Sequence, residues 1–173
     1  MPVKVYRLYK KPKMPPLKLV RIRGREDVVH AEEIVDIILE ALKLKPKWFW
    51  RWLINNAKIY VADEWYNLVN LHDLLEINNK CQEVLEGKPW EEEVFDCDDF
   101  TNVMLGEVSL IRLKLGKNLA FGKIWFCCTR EGWCHATSFY INEDKQFVWY
   151  EPQRCQIYPQ FKYYCDRVIL VVI

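Results

Sequence analysis

Three side chains in this sequence are of the types that together activate a thiol. They are Cys97 in Phe95-Asp96-Cys97-Asp98-Asp99-Phe100, His135, and Glu151 in Val148-Trp149-Tyr150-Glu151-Pro152-Gln153. A thiol becomes a strong nucleophile when a neighbouring imidazole accepts its proton or pairs with it as a cation, and the imidazole needs a third group to fix its tautomer and orientation. The order along the chain is cysteine, histidine, acid, with steps of 38 and 16 residues. His30 and His72 lie in helical patterns without such neighbours and read as ordinary.

These residues can meet only if the elements carrying them are arranged to suit. After Cys97, the residues Met104, Leu105, Val108, Leu110 and Ile111 recur at a spacing that lines one helix face, which puts the cysteine in the first turn. Backbone N–H groups and the helix dipole there favour thiolate and can stabilise an oxyanion. Beyond residue 115, β-branched and aromatic runs predict strands near 119–129, 134–142 and 146–151, with a last strand over 168–173. A hairpin through Asn142-Glu143-Asp144-Lys145 would set Glu151 beside His135. Upstream, apolar periodicity predicts helices over about 28–44, from 47 to Asn55-Asn56, and over 63–86 with a break near Asn78-Asn79. Helices followed by consecutive short strands describe an α+β domain with an antiparallel sheet. On this reading residues 1–25 are a basic arm and 26–173 one domain, with 26–88 its helical half and 89–173 its catalytic core.

The local motifs carry a resemblance. Asp96-Cys97-Asp98-Asp99-Phe100 resembles the nucleophile motif of bacterial transglutaminase-like cysteine proteinases. His135-Ala136 and Glu151-Pro152 resemble the His-Ala and Asp-Pro signatures of the papain-like and transglutaminase-like superfamily, including the protease domain of a mushroom agglutinin, over about residues 90–155. The resemblance implies a papain-like/transglutaminase-like core, N-terminal helices, and a nucleophile at the start of a helix packed on an antiparallel sheet. It implies a cysteine peptidase in which Cys97 attacks an amide carbonyl, His135 moves the proton and Glu151 orients the imidazole, by way of an acyl-enzyme. Transglutaminase-type acyl transfer to an amine is the alternative outcome of the same chemistry. No cofactor is required, although the resemblance implies a calcium site with Asp98 among its ligands. Papain's oxyanion-hole glutamine, six residues before the nucleophile, is replaced here by Glu91, so either Glu91 is turned away and Gln153 or the Trp90 indole replaces it, or the site is built differently.

Composition bounds the remainder. A chain of 173 residues that is 51% apolar and 28% charged, with six Gly and eight Pro, suits one compact domain and excludes a disordered or collagen-like chain. The formal charge of +1 hides an asymmetry, because residues 1–25 hold nine of the 25 Lys and Arg and none of the 24 Asp and Glu. Such an arm is expected to be a solvated face or to pair with the acidic body, with an acidic partner or nucleic acid as the sharper alternative. Eight tryptophans, four of them at 48, 50, 52 and 65, suit core packing, or base stacking in a non-catalytic nucleic-acid-binding module. Seven cysteines without a CxxC pair, behind an N-terminus lacking a signal-like apolar run, point to mostly free thiols and a cytoplasmic setting. No apolar run approaches the roughly 18 residues of a membrane span, so the expected partner is a protein or peptide substrate rather than a membrane.

Overall fold

A computed structural model describes residues 4–7, 27–42, 58–158 and 167–173. Most of the basic arm, and the helix expected from residue 47 with Trp48, Trp50 and Trp52, lie outside these residues. In chain order the elements are β1 (Lys4–Arg7), β2 (Val28–His30), α1 (Ala31–Ala41), β3 (Lys58–Val61), β4 (Trp65–Asn67), α2 (Leu71–Leu85), α3 (Cys97–Leu115), β5 (Phe121–Cys128), β6 (Trp133–Ile141), β7 (Phe147–Glu151), β8 (Gln156–Tyr158) and β9 (Arg167–Val172).

Seven strands form one sheet in the order β1-β3-β9-β5-β6-β7-β8, while β2 and β4 make a separate antiparallel pair. The expectation of an α+β papain-like/transglutaminase-like core with an antiparallel sheet is corrected here. Among the described residues strands outnumber helices nine to three, and a single mixed sheet organises them. Its β1-β3-β9 side is parallel. Parallel neighbours need crossovers of a dozen or more residues, and the chain between β1 and β3, and between β3 and β9, supplies them. Lys4–Arg7, at the start of the basic arm, is thus a strand of the sheet.

The core has two layers of side chains, one on each sheet face. On one face Ile34 and Ile38 of α1 pack with Ile59, Ile124, Phe126, Phe139 and Val171. On the other, Ile77 and Cys81 of α2 and Phe100, Met104 and Val108 of α3 pack with Phe121, Tyr140 and Tyr150. The alternation of strand side chains does the sorting, since Ile124 and Phe126 share one face of β5 while Phe121 points to the other. β9 runs between β3 and β5 and buries Val168 and Val171. Where β5 passes β9, Gly122 is required. A Cβ there would stand 2.3 Å from the Val172 carbonyl oxygen and 2.7 Å from the Phe139 ring.

Helix starts explain where sequence periodicity and structure part. Val28 and Val29, which fit a helical stripe, instead pair with Asn67 and Tyr66, and His30 caps α1 by accepting the Glu32 N–H at Nδ1. The helix expected from residue 63 begins only at Leu71, because Trp65–Asn67 is held in the β2-β4 pair. Asn70 and Asp73 then form a reciprocal capping box at the new start. Asp73 is fully buried, and its carboxylate accepts from the Lys117 ammonium at 2.8 Å, tying α2 to the turn after α3.

Candidate functional site

Asp96, Cys97 and the two acids that follow begin α3. The Asp96 carboxylate accepts the Asp98 N–H, and Asp99 reaches back to the Asp96 N–H, so Cys97 is the first helical residue and the orphan N–H groups of that turn are capped locally. Phe100 and Met104 bury the next turn and fix the helix against the sheet.

His135 reaches the same place from β6. All of Trp133–Tyr140 is paired with β5, but β7 joins β6 only from Ser138 to Ile141. The N-terminal half of β6 therefore has β5 on one side and an unpaired edge on the other. Cys97 occupies that edge, where its Sγ accepts the Ala136 N–H at 3.3 Å. Beyond the last β6-β7 pair, the Thr137 hydroxyl donates to the Tyr150 carbonyl at 2.7 Å, so Glu151 emerges opposite His135. One Glu151 oxygen lies 2.7 Å from His135 Nε2, and the other accepts the Gln153 N–H at 3.1 Å.

The imidazole is hydrogen-bonded to the Glu151 carboxylate, and the Cys97 sulfur is held beside it on the N–H of the next residue, Ala136. Burial is the largest single influence on it and lowers its pKa, but the hydrogen bonds and charges of Cys97 and Glu151 together outweigh burial and push it up to about 9. At neutral pH the ring is a cation held between a sulfur and a carboxylate. The Phe126 ring meets the imidazole edge to face, with ring centroids 5.7 Å apart.

The structure thus brings Cys97, His135 and Glu151 together, through the helix start and hairpin expected of them. Asp98 stands on the same helix turn, within 4.8 Å of the carboxylates of Asp96 and Asp99. A hard cation takes several oxygens, and here one oxygen of Asp96 and one of Asp99 are turned onto backbone N–H groups. A hydrogen bond that the protonated Asp98 carboxyl donates to the Asp96 carboxylate, with burial and the charges of Asp96 and Asp99, raises the pKa of Asp98. Helix capping thus engages one oxygen of Asp96 and one of Asp99, and the remaining carboxylate oxygens of this turn are those a hard cation would have to use. Of the expected oxyanion donors, Trp90 is 57% exposed, whereas Gln153 lines a cleft with His135, Thr137, Trp149, Glu151, Arg154 and Tyr158.

One feature of the site was missed by sequence reasoning. Cys127 and Cys134 face each other in the β5-β6 register, with Cα atoms 3.9 Å apart, and form a disulfide. The expectation of mostly free thiols holds for Cys81, Cys97, Cys128 and Cys155. The missed signal was the tight turn through residues 129–132, which brings two cysteines seven apart to one rung.

No protein-family model matches the chain, and no curated protein matches it by sequence. Solved structures do match. The chain is similar to the Polyporus squamosus lectin bound to the human-type influenza-binding epitope Neu5Aca2-6Galb1-4GlcNAc, and to a complex described as PSL1a-E64. Each likeness has a TM-score of 0.66 at 19% identity and covers 85% of this chain and 50% of the other. This chain shares a fold with about half of a lectin chain.

That finding corrects the sequence-based identification. The fold likeness lies with structures named for a lectin, and neither family models nor curated sequences support a papain-like or transglutaminase-like peptidase. The cysteine peptidase or amidase, the acyl-transferase alternative and the nucleic-acid-binding module are set aside with it, and so is a peptide substrate. The cleft beside His135 measures about 60 Å³. Among the described residues, no helix is long and apolar enough to cross a membrane.

Proposed function

We propose that this chain is a ligand-binding domain centred on Cys97, His135 and Glu151, in which Cys97 is a nucleophilic thiol that captures an electrophilic ligand stoichiometrically. One observation carries the reading. The Cys97 sulfur lies against the β6 edge, accepting the Ala136 N–H at 3.3 Å, and the neighbouring residue His135 has its Nε2 2.7 Å from the Glu151 carboxylate. A sulfur at a helix start, one residue along the strand edge from an imidazole, is placed to attack an electrophile while the imidazole handles the proton. The role of Glu151 is to hold the ring in place and to balance its charge.

E64, the compound named in the PSL1a complex, is the natural first probe, with iodoacetamide as a small control. Intact-mass and peptide analysis of the whole chain should show one E64 or one carboxamidomethyl group, placed on Cys97, before the other thiols react. His135→Gln should slow that labelling at least tenfold. Labelling spread evenly over several thiols, or unaffected by His135→Gln, overturns the reading.

A second reading takes its ligand from the other neighbour. Trp149, Tyr158, Arg154 and Gln153 ring the small cleft beside His135, an aromatic and polar set suited to one face of a sugar. Titration with Neu5Aca2-6Galb1-4GlcNAc, read by changes confined to these residues, tests it.

A further inference from the structure

The Cys127–Cys134 disulfide lies one rung from the site. In the β5-β6 ladder Cys127 faces Cys134, and on the next rung Phe126 faces His135. This is also the weakest-supported part of β6, because β7 does not reach it and only β5 pairs with it. β5 itself is irregular here, since its pairing with β9 shifts register between Trp125 and Phe126. The imidazole's position thus depends on three restraints: the β5 ladder, the Glu151 carboxylate and the disulfide next to it in sequence.

We propose that this disulfide is a redox-controlled modification site that governs the reactivity of Cys97 by positioning His135. The inference rests on the reading of Cys97, His135 and Glu151 given above. Access favours it, because Cys134 is exposed while Cys127 is nearly buried. A dithiol reductant would attack at the Cys134 sulfur. One of its thiolates bonds to Cys134 Sγ as the S–S bond breaks, and Cys127 leaves as a thiolate and takes up a proton. The second thiol of the reductant then displaces Cys134 as a thiol, and the reductant closes to its own disulfide. Two electrons pass from the reductant to the cystine, and hydrogen peroxide returns the two thiols to the disulfide, its oxygens leaving as two molecules of water. In the reduced form the end of the hairpin keeps only its one-sided ladder, and His135 loses the restraint that holds it between Cys97 and Glu151.

His135 is the positioned residue here, and the disulfide acts through it. The test compares the second-order rate of Cys97 carboxamidomethylation by iodoacetamide, read at the Cys97 peptide, in three forms of the full chain: oxidised, dithiol-reduced and desalted, and reoxidised. Counting thiols in denatured protein with and without prior reduction establishes the disulfide, with two fewer expected without. On reduction the Cys97 rate at neutral pH should fall at least threefold, the pH dependence of that rate should change as His135 is released, and reoxidation should restore both. The Cys127→Val/Cys134→Val variant, whose β-branched pair keeps the rung packed without a covalent bond, should behave as the reduced form. It guards against misreading a Cys127→Ala/Cys134→Ala variant that fails to fold. A smaller rate change in both the reduced protein and the valine variant, or equal thiol counts, overturns the proposal. Failure of Cys97 to label selectively even when oxidised defeats the underlying reading instead, so the two failures are told apart.

Discussion

Stability should fall as pH rises through the range in which His135 loses its proton. The imidazole is held as a cation with a folded pKa of about 9, against about 6.5 in the unfolded chain, and its side chain is only 20% exposed. A base whose pKa is raised by folding binds its proton more tightly in the native state. Its contribution is therefore complete below about pH 6.5 and disappears as pH rises through about 9. The full shift corresponds to about 3 kcal/mol, of which about 2 kcal/mol should be lost between pH 6 and pH 8. That window avoids the buried thiols Cys81 and Cys155, which titrate at higher pH because burial disfavours their charged forms. Urea unfolding at the two pH values, for the wild type and His135→Gln, isolates the effect, since every other group is common to both proteins. The expected result is a wild-type loss larger than the variant's by about 2 kcal/mol. Parallel pH dependences in the two proteins would refute the ion-paired imidazole.

Three further outcomes can be checked by thermal and chemical unfolding. Lys117→Met leaves the Asp73 carboxylate buried without its partner and should cost about 3–5 kcal/mol, much of it recovered by adding Asp73→Asn. Gly122→Ala drives a methyl against the Val172 carbonyl and the Phe139 ring, and should cost at least the ~1–3 kcal/mol typical of overpacking, with loss of near-UV signal. Millimolar calcium should leave the melting temperature unchanged, because Asp96 and Asp99 are engaged as caps; a rise of several degrees abolished by Asp98→Asn would reverse that assignment.

What could be read from the sequence follows from element length and pattern. The strands β5, β6, β7 and β9 are legible because β-branched and aromatic residues run through them for five or more positions. The helix after Cys97 is legible from its apolar spacing and its acidic start, although Leu110, assigned to its buried face, is 60% exposed. β2, β3, β4 and β8 are three or four residues long, too short for any period to declare itself. Val28 and Val29 could extend the α1 stripe as well as form a strand, and only their pairing with β4 decides. The parallel β1-β3-β9 side depends on contacts 54 residues apart between β1 and β3 and more than a hundred apart between β3 and β9, which no local pattern encodes. At the site, residue type and spacing were enough to bring Cys97, His135 and Glu151 together. They could not say what the arrangement is for, because a thiol, an imidazole and a carboxylate describe local reactivity and leave open whether a turnover follows.

The place of β9 bears on how the chain is made. It is the last described strand in sequence, yet it lies between β3 and β5. During synthesis, at about 5–20 residues per second, the β5-β6-β7 meander can assemble as it emerges, but both strands that will flank β9 wait with open edges. Those edges carry Ile59, Val61, Ile124 and Phe126, apolar groups that are buried in the finished sheet. β9 therefore closes the sheet by insertion between two preformed edges, a non-local step of the slow kind. Until it happens, the nascent chain presents two templates for strand addition by other chains, so stalled or truncated products of this sequence should be especially prone to aggregate.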